Sequence, residues 1–125
     1  MLLRLDFSGD TPIYQQIRNQ IVVGIASGEL SAGERLPTIR ALADQTGVNM
    51  MTVNKAYATL KQEGYITADR RGGTLVADTA GNPGLSRASE EALRVIISEA
   101  RLAGMDRESF LALCQRLYAE GRPGA

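Results

Sequence analysis

The gap between two helical stripes of apolar residues is the tightest constraint on how this chain folds. Ile39, Leu42 and Ala43 share one face of a short helical run, and Val53, Ala56, Tyr57 and Leu60 keep the i, i+3, i+4, i+7 spacing of a second. Thr38 suits the cap of the first, with Pro37 just ahead of it, and Gly47 suits its end. The second begins within Asn49 to Thr52 and stops at Gly64. Only a few residues remain for the connection. A helix, a turn of about three or four residues and another helix are the elements of a helix-turn-helix.

The flanking segments extend this unit. Ile13, Ile17, Ile21 and Ile25 recur every fourth residue, which predicts a helix from about Pro12 to Ser27, with Thr11 as its cap and Gly28 as its stop. Gly28 to Leu36 is a connector with turn residues Ser31, Ala32 and Gly33. After Gly64, the β-prone runs Tyr65-Ile66-Thr67 and Thr74-Leu75-Val76 enclose Asp69-Arg70-Arg71-Gly72-Gly73, the pattern of a hairpin. A short strand near Arg35-Leu36 is placed to join it. Residues 78–84, DTAGNPG, have linker composition. Beyond them, Leu85, Ala88, Ala92, Leu93, Ile96 and Ala100 predict a fourth helix, broken at Gly104. Asp106 is expected to cap a fifth, with Phe110, Leu113, Cys114 and Leu117 on its apolar side, before Gly121 and Pro123 end the order. The expected domains are therefore 1–77, a linker 78–84, and a helical tail 85–125.

Composition removes whole classes of chemistry. There is no histidine and a single cysteine, which excludes Ser-His-Asp and Cys-His catalysis and leaves no thiolate cluster for a metal within one chain. We expect no enzyme activity, no metal and no cofactor. Cys114 falls in an apolar helical pattern and reads as a buried thiol, with a redox sensor as the sharper alternative. Apolar residues make up 44% of the 125, enough for a core. No run approaches the roughly 18 apolar residues of a membrane span, and the start MLLRLDFSGD lacks the pattern of a signal peptide. The expected location is the cytoplasm. Charge is balanced, with 14 basic and 14 acidic residues; residues 1–77 carry 8 and 7, and residues 78–125 carry 6 and 7. If nucleic acid is the partner, attraction must come from basic residues gathered on one face.

Such a gathering is visible. In a helix-turn-helix the second helix enters the major groove, its N-terminal residues at the base edges. Here Asn49, Met50, Met51 and Thr52 begin that helix; Asn49, Thr52 and Asn54 offer side-chain hydrogen bonds, and Lys55 offers phosphate attraction. Arg35, Arg40, Arg70 and Arg71 lie at segment ends within reach of a DNA backbone. Other readings of single residues are plainer. Arg18 suits a solvated or ion-paired helix position, and Tyr57 and Tyr65 suit the core. From pattern alone, a small helical domain with solvated charges stays open.

The run GERLPTIRALADQTGVNMMTVNKAYATLKQEGYITADRRGGTLVA closely resembles the winged-helix signature of the GntR family of bacterial repressors. LPTIRALA, GVN..TV..AY..L..EGYI and the wing R.GGTLV occur in order and at the family's spacing, and PIYQQIRNQIVVGIASGEL resembles its first helix. The likeness spans roughly Thr11 to Ala77, and the short tail resembles the YtrA-type subgroup. It implies a mainly α fold with a small β-hairpin: a winged helix-turn-helix followed by a two-helix dimerisation tail. It also implies a sequence-specific transcriptional regulator, a repressor, that binds a palindromic double-stranded DNA operator as a homodimer. By resemblance, Arg40 contacts DNA from the start of the second helix and Arg35 is the basic residue before Leu-Pro. Thr38 and Thr52 lie beside phosphates, Asn49 begins the recognition helix with Lys55 on its face, and Gly72 and Gly73 form the wing tip. Met50 and Met51 depart from the arginine or other polar residue of many members. Methionine makes no bidentate contact to guanine but packs on a thymine methyl, so a different operator is expected.

Leu93, Ile96, Ile97, Phe110, Leu113 and Leu117 are too many large apolar residues for two exposed helices, and a second copy of the tail is the economical partner. No membrane partner is expected, and a small-molecule effector is left open. Two other classes compete. A winged helix also serves as a protein-interaction module, and some relatives carry an aminotransferase-like domain, for which the segment after the linker is too short.

Overall fold

A computed structural model describes residues 3–79 and 84–120. The chain divides into two compact units, Met1–Ala80 and Gly81–Ala125. The expected linker residues Ala80, Gly81, Asn82 and Pro83, and the end signals Gly121 and Pro123, lie outside the described residues.

The first unit holds α1 (Ile13–Ser27), α2 (Ile39–Thr46), α3 (Met50–Glu63), β1 (Ile66–Ala68) and β2 (Thr74–Val76). Ile17 and Ile21 of α1, Leu42 and Ala43 of α2, and Val53, Ala56, Tyr57 and Leu60 of α3 are buried against Leu30, Leu36, Val48, Ile66 and Val76. The stripes read from spacing are thus the core faces, with Ile13, Ile25 and Ile39 half-buried at its margin. Tyr57 is enclosed, and its hydroxyl donates to the Pro37 carbonyl at 2.7 Å. That bond ties α3 to the segment entering α2. Thr38 caps α2, its Oγ1 accepting from the Ala41 amide at 3.0 Å. Gly47 ends α2 at φ 73°, the left-handed region open to glycine, and so permits α3 to start at Met50.

One expected cap is different. Pro12, not Thr11, stands at the start of α1, and its carbonyl accepts from the Gln15 and Gln16 amides at 3.1 Å. The Thr11 carbonyl instead accepts from Gln16 Nε2 at 2.8 Å. The same glutamine and Gln20 bind the backbone of Asp6 and Arg4, so the segment before α1 runs against that helix through amide side chains.

β1 and β2 are antiparallel, Ile66 opposite Val76 and Ala68 opposite Thr74. The connector adds a third line of backbone at Arg35, which bridges Leu75; Leu36 donates to Thr74 and Val76 donates to Glu34. The expected short strand near Arg35-Leu36 is this bridge.

The second unit is a pair of helices, α4 (Arg87–Leu102) and α5 (Arg107–Glu120). Ser86 caps α4, accepting from the Ser89 amide, so Leu85 precedes the helix and is exposed rather than part of its face. Asp106 starts α5 as expected, and the Ser109 amide that donates to it at 2.8 Å holds its carboxyl below the usual range.

Candidate nucleic-acid interface

α3 has two faces of opposite character. Its core stripe is closed, and the turn at its N-terminus is open. Met50 is 46% and Met51 79% exposed, and Asn54 and Lys55 are exposed beside them, while Thr52 is half-buried. Positions 50 and 54, and 51 and 55, are separated by one helical turn and so share a side of the helix. Asn49 caps the helix: its Oδ1 accepts from the Met51 amide at 2.7 Å. Its carbonyl oxygen is therefore committed to the backbone, and its side-chain NH2 is the group left facing outward. Asn54 has no hydrogen-bond partner among the described residues. Ile39, Met50, Met51 and Asn54 together line a shallow hollow where the starts of α2 and α3 meet.

The basic residues fall into two groups. Arg40, Arg70 and Arg71 are exposed and have no ionic partner among the described residues. Arg35 and Lys55 are held. Arg35 pairs with Asp69, at the base of the hairpin turn, and its guanidinium lies against Gly73, where an added methyl would overlap it. The turn itself is closed by Asp69 donating to the Gly73 carbonyl at 2.8 Å and Gly72 donating to the Asp69 carbonyl at 3.0 Å. Arg35 is thus a strut for the wing that carries Arg70, Arg71 and Gly72, and it keeps about half of its side chain exposed. The Lys55 ammonium sits 4.1 Å from the centroid of the Tyr14 ring, a cation–π contact that fixes where the charge stands. Sequence reasoning missed Tyr14 and Asp69. A tyrosine and an aspartate carry no spacing signal until the partner elements are placed.

Arg18 is structural. It binds Glu63 through both Nε and Nη2 at 2.9 Å and lies over the Tyr65 ring, which joins α1 to the end of α3.

The second unit has no buried residue in either helix. Leu93, Ile96, Ile97 and Leu117 are exposed, with Ile96 50% accessible, and Phe110 and Leu113 are half-buried. Ile97, Ala100, Met105, Phe110 and Leu111 line an apolar groove on this unit. Cys114, expected in a buried position, is exposed. Neither helix of this unit buries a residue, and Cys114 shares that exposure.

The sequence pattern of "Bacterial regulatory proteins, gntR family" matches residues 13–76, more than half of the chain. The HTH-type transcriptional repressor YtrA of Bacillus subtilis is 31% identical over 126 aligned positions, covering 98% of this chain and 97% of that protein. Among solved structures, a transcriptional antiterminator from Listeria monocytogenes superposes with a TM-score of 0.87 at 26% identity, covering 97% of this chain and 92% of that one. AraR(DBD), solved in complex with operator ORX1, superposes with a TM-score of 0.54 at 31% identity over 60% of this chain and 96% of its own.

Proposed function

The chain belongs to the GntR family of bacterial regulatory proteins, and we propose that it represses transcription by holding a palindromic DNA operator as a homodimer. It is a DNA-binding transcriptional regulator and not an enzyme. The observation that carries the finer reading is the open N-terminal turn of α3. A helix with one closed face and an accessible start suits the major groove, about 12 Å wide, which admits an α-helix with its first residues at the bases.

Asn49, Met50, Met51, Thr52 and Asn54 are assigned to the groove floor. Lys55, Arg40 and Thr38 are assigned to the backbone on either side, and Arg70, Arg71 and Gly72 to the strand reached by the wing. Arg35 serves this surface by holding the wing and by adding its own charge. Phosphate contacts set register while base edges set sequence. The AraR complex supports the operator, and the YtrA likeness supports repression. The second copy is assigned to the uncovered faces of α4 and α5, through Leu93, Ile96, Ile97, Phe110, Leu113 and Leu117. The protein works in the cytoplasm, where its operator is.

Genomic fragments captured by the full chain identify the operator, and titration against salt then tests the contact. Log affinity should fall with log salt at a slope of about −0.9 per phosphate neutralised. A captured set with no shared sequence, or an affinity indifferent to salt, refutes the assignment and favours a protein-interaction role.

A further inference from the structure

The hollow at the meeting of α2 and α3 has a character that phosphate binding does not explain. Its lining is Ile39, Met50 and Met51, with Asn54 as the polar member. All around it the proposed DNA face is polar or basic: Thr38 and Arg40 flank Ile39, and Lys55 follows Asn54. An apolar hollow at the groove-facing end of a recognition helix needs an apolar occupant. On the base edges of the major groove there is one such group, the C5-methyl of thymine; the other features are hydrogen-bond donors and acceptors. Thioether side chains are long and polarisable, and they close over a small apolar group without demanding one fixed shape.

Asn54 supplies the complement. Its amide is exposed and has no partner among the described residues, on the same side of the helix as Met50 and Met51. A free carboxamide matches adenine, donating to N7 while accepting from the N6 amino group. Adenine and thymine stand opposite each other in every A·T pair.

We propose that Ile39, Met50 and Met51 form a receptacle for a thymine methyl group and that Asn54 reads the adenine edge next to it. The first turn of α3 is then a reader of A·T pairs. The proposal rests on the DNA-binding reading above and adds the specificity to it.

The test uses the full chain and duplexes selected from a random DNA library. In the selected site each thymine is replaced singly by deoxyuridine, which keeps every pairing hydrogen bond and removes only the methyl. At one or two thymines in each half-site the affinity should drop by about fourfold, the worth of one buried methyl-sized group. The double variant Met50→Ala with Met51→Ala, at exposed positions, should bind the parent site more weakly and be indifferent to uracil at those places. Met50→Arg should move the preference there toward G·C, because arginine pairs with guanine. Asn54→Ala should relax the choice at the adjoining adenine. A selected site bound tightly, yet unmoved by uracil at every thymine, overturns the methyl receptacle and leaves DNA binding intact. A selection that yields no preferred site removes the DNA-binding reading itself, and this proposal with it.

Discussion

Two arginines near the start of α2 differ in what restrains them. Arg40 is exposed and unpaired among the described residues, whereas Arg35 is tied to Asp69 and packed on Gly73. A free guanidinium adds its full charge to a phosphate. Arg40→Ala should therefore weaken operator binding by about 1–3 kcal/mol, the range for hydrogen bonds to charged groups, with the melting temperature unchanged. An unimpaired Arg40→Ala variant in the same titration contradicts its assignment. Tyr57 gives a stability counterpart. Burial pushes its phenol up to about 12 from the ordinary 10.0, so the folded chain holds that proton more tightly than the unfolded chain. This contribution is complete below about pH 10 and is lost as pH rises through about 12. Tyr57→Phe should flatten that alkaline loss relative to the parent while costing about 1 kcal/mol at neutral pH, through the lost bond to the Pro37 carbonyl. Denaturant unfolding across the pH range checks both signs. Both residues were legible in part. Spacing placed Tyr57 in the core, and position suggested Arg40, but the split between Arg40 and Arg35 waits on Asp69, distant in sequence and brought close only by the hairpin.

Elements with strong end signals were the legible ones. Thr38, Gly47 and Gly64 mark the limits of α2 and α3 because each satisfies or redirects backbone groups locally, within a turn of its own position. The expected cap Thr11 gives way to Pro12 at the start of α1, and Gln16 and Gln20 on the helix face bind the backbone ahead of it, tertiary contacts with no local signature. The wing is the element where local and tertiary causes meet. Its turn is closed by Asp69, Gly72 and Gly73, and its attitude is set by the Arg35 strut. Gly73→Ala should push the guanidinium aside and break the pair with Asp69, since the methyl takes its place. The displaced group is the far end of a flexible, exposed side chain, so the stability cost should stay under about 1 kcal/mol. DNA binding should weaken severalfold because Arg70 and Arg71 lose their fixed approach. Calorimetry and operator titration on one variant separate these effects. A Gly73→Ala protein that binds DNA as well as the parent denies the wing its role. Asn49→Ala, which removes the cap on α3, should instead lower stability by about 1 kcal/mol and loosen the turn proposed to enter the groove.

At the scale of the whole molecule the two units have opposite needs. The first encloses a core of its own, from Ile17 to Val76, and is covered by it. The second buries none of its helical residues, although its sequence supplies Leu93, Ile96, Ile97, Phe110, Leu113 and Leu117. An uncovered apolar face costs free energy in water that pairing with a like face recovers, and closed two-fold pairing is the common solution. The exposure of Cys114 belongs to the same incompleteness, because burial inferred from apolar spacing presupposes a partner surface. In the proposed dimer, two first units would present two copies of α3, suited to half-sites about 34 Å apart or a multiple of it. On that proposal each half-site contact alone would be weak, and joining them would make the second contact intramolecular and raise the affinity by a factor on the order of 10²–10⁴. The full chain should therefore sediment as a dimer at micromolar concentration. A chain cut after Ala80, which retains the whole first unit, should sediment as a monomer and bind the operator at least about a hundredfold more weakly. Ile96→Glu in the full chain should act in the same direction, since it places charge on an apolar face while leaving every groove residue in place. Inserting five base pairs between half-sites should cost the parent most of its advantage and the cut chain nothing, because about half a helical turn sends the second half-site to the opposite side of the duplex. A full chain that stays monomeric on and off DNA, or a cut chain that matches it on the intact operator, is incompatible with a tail that works by pairing.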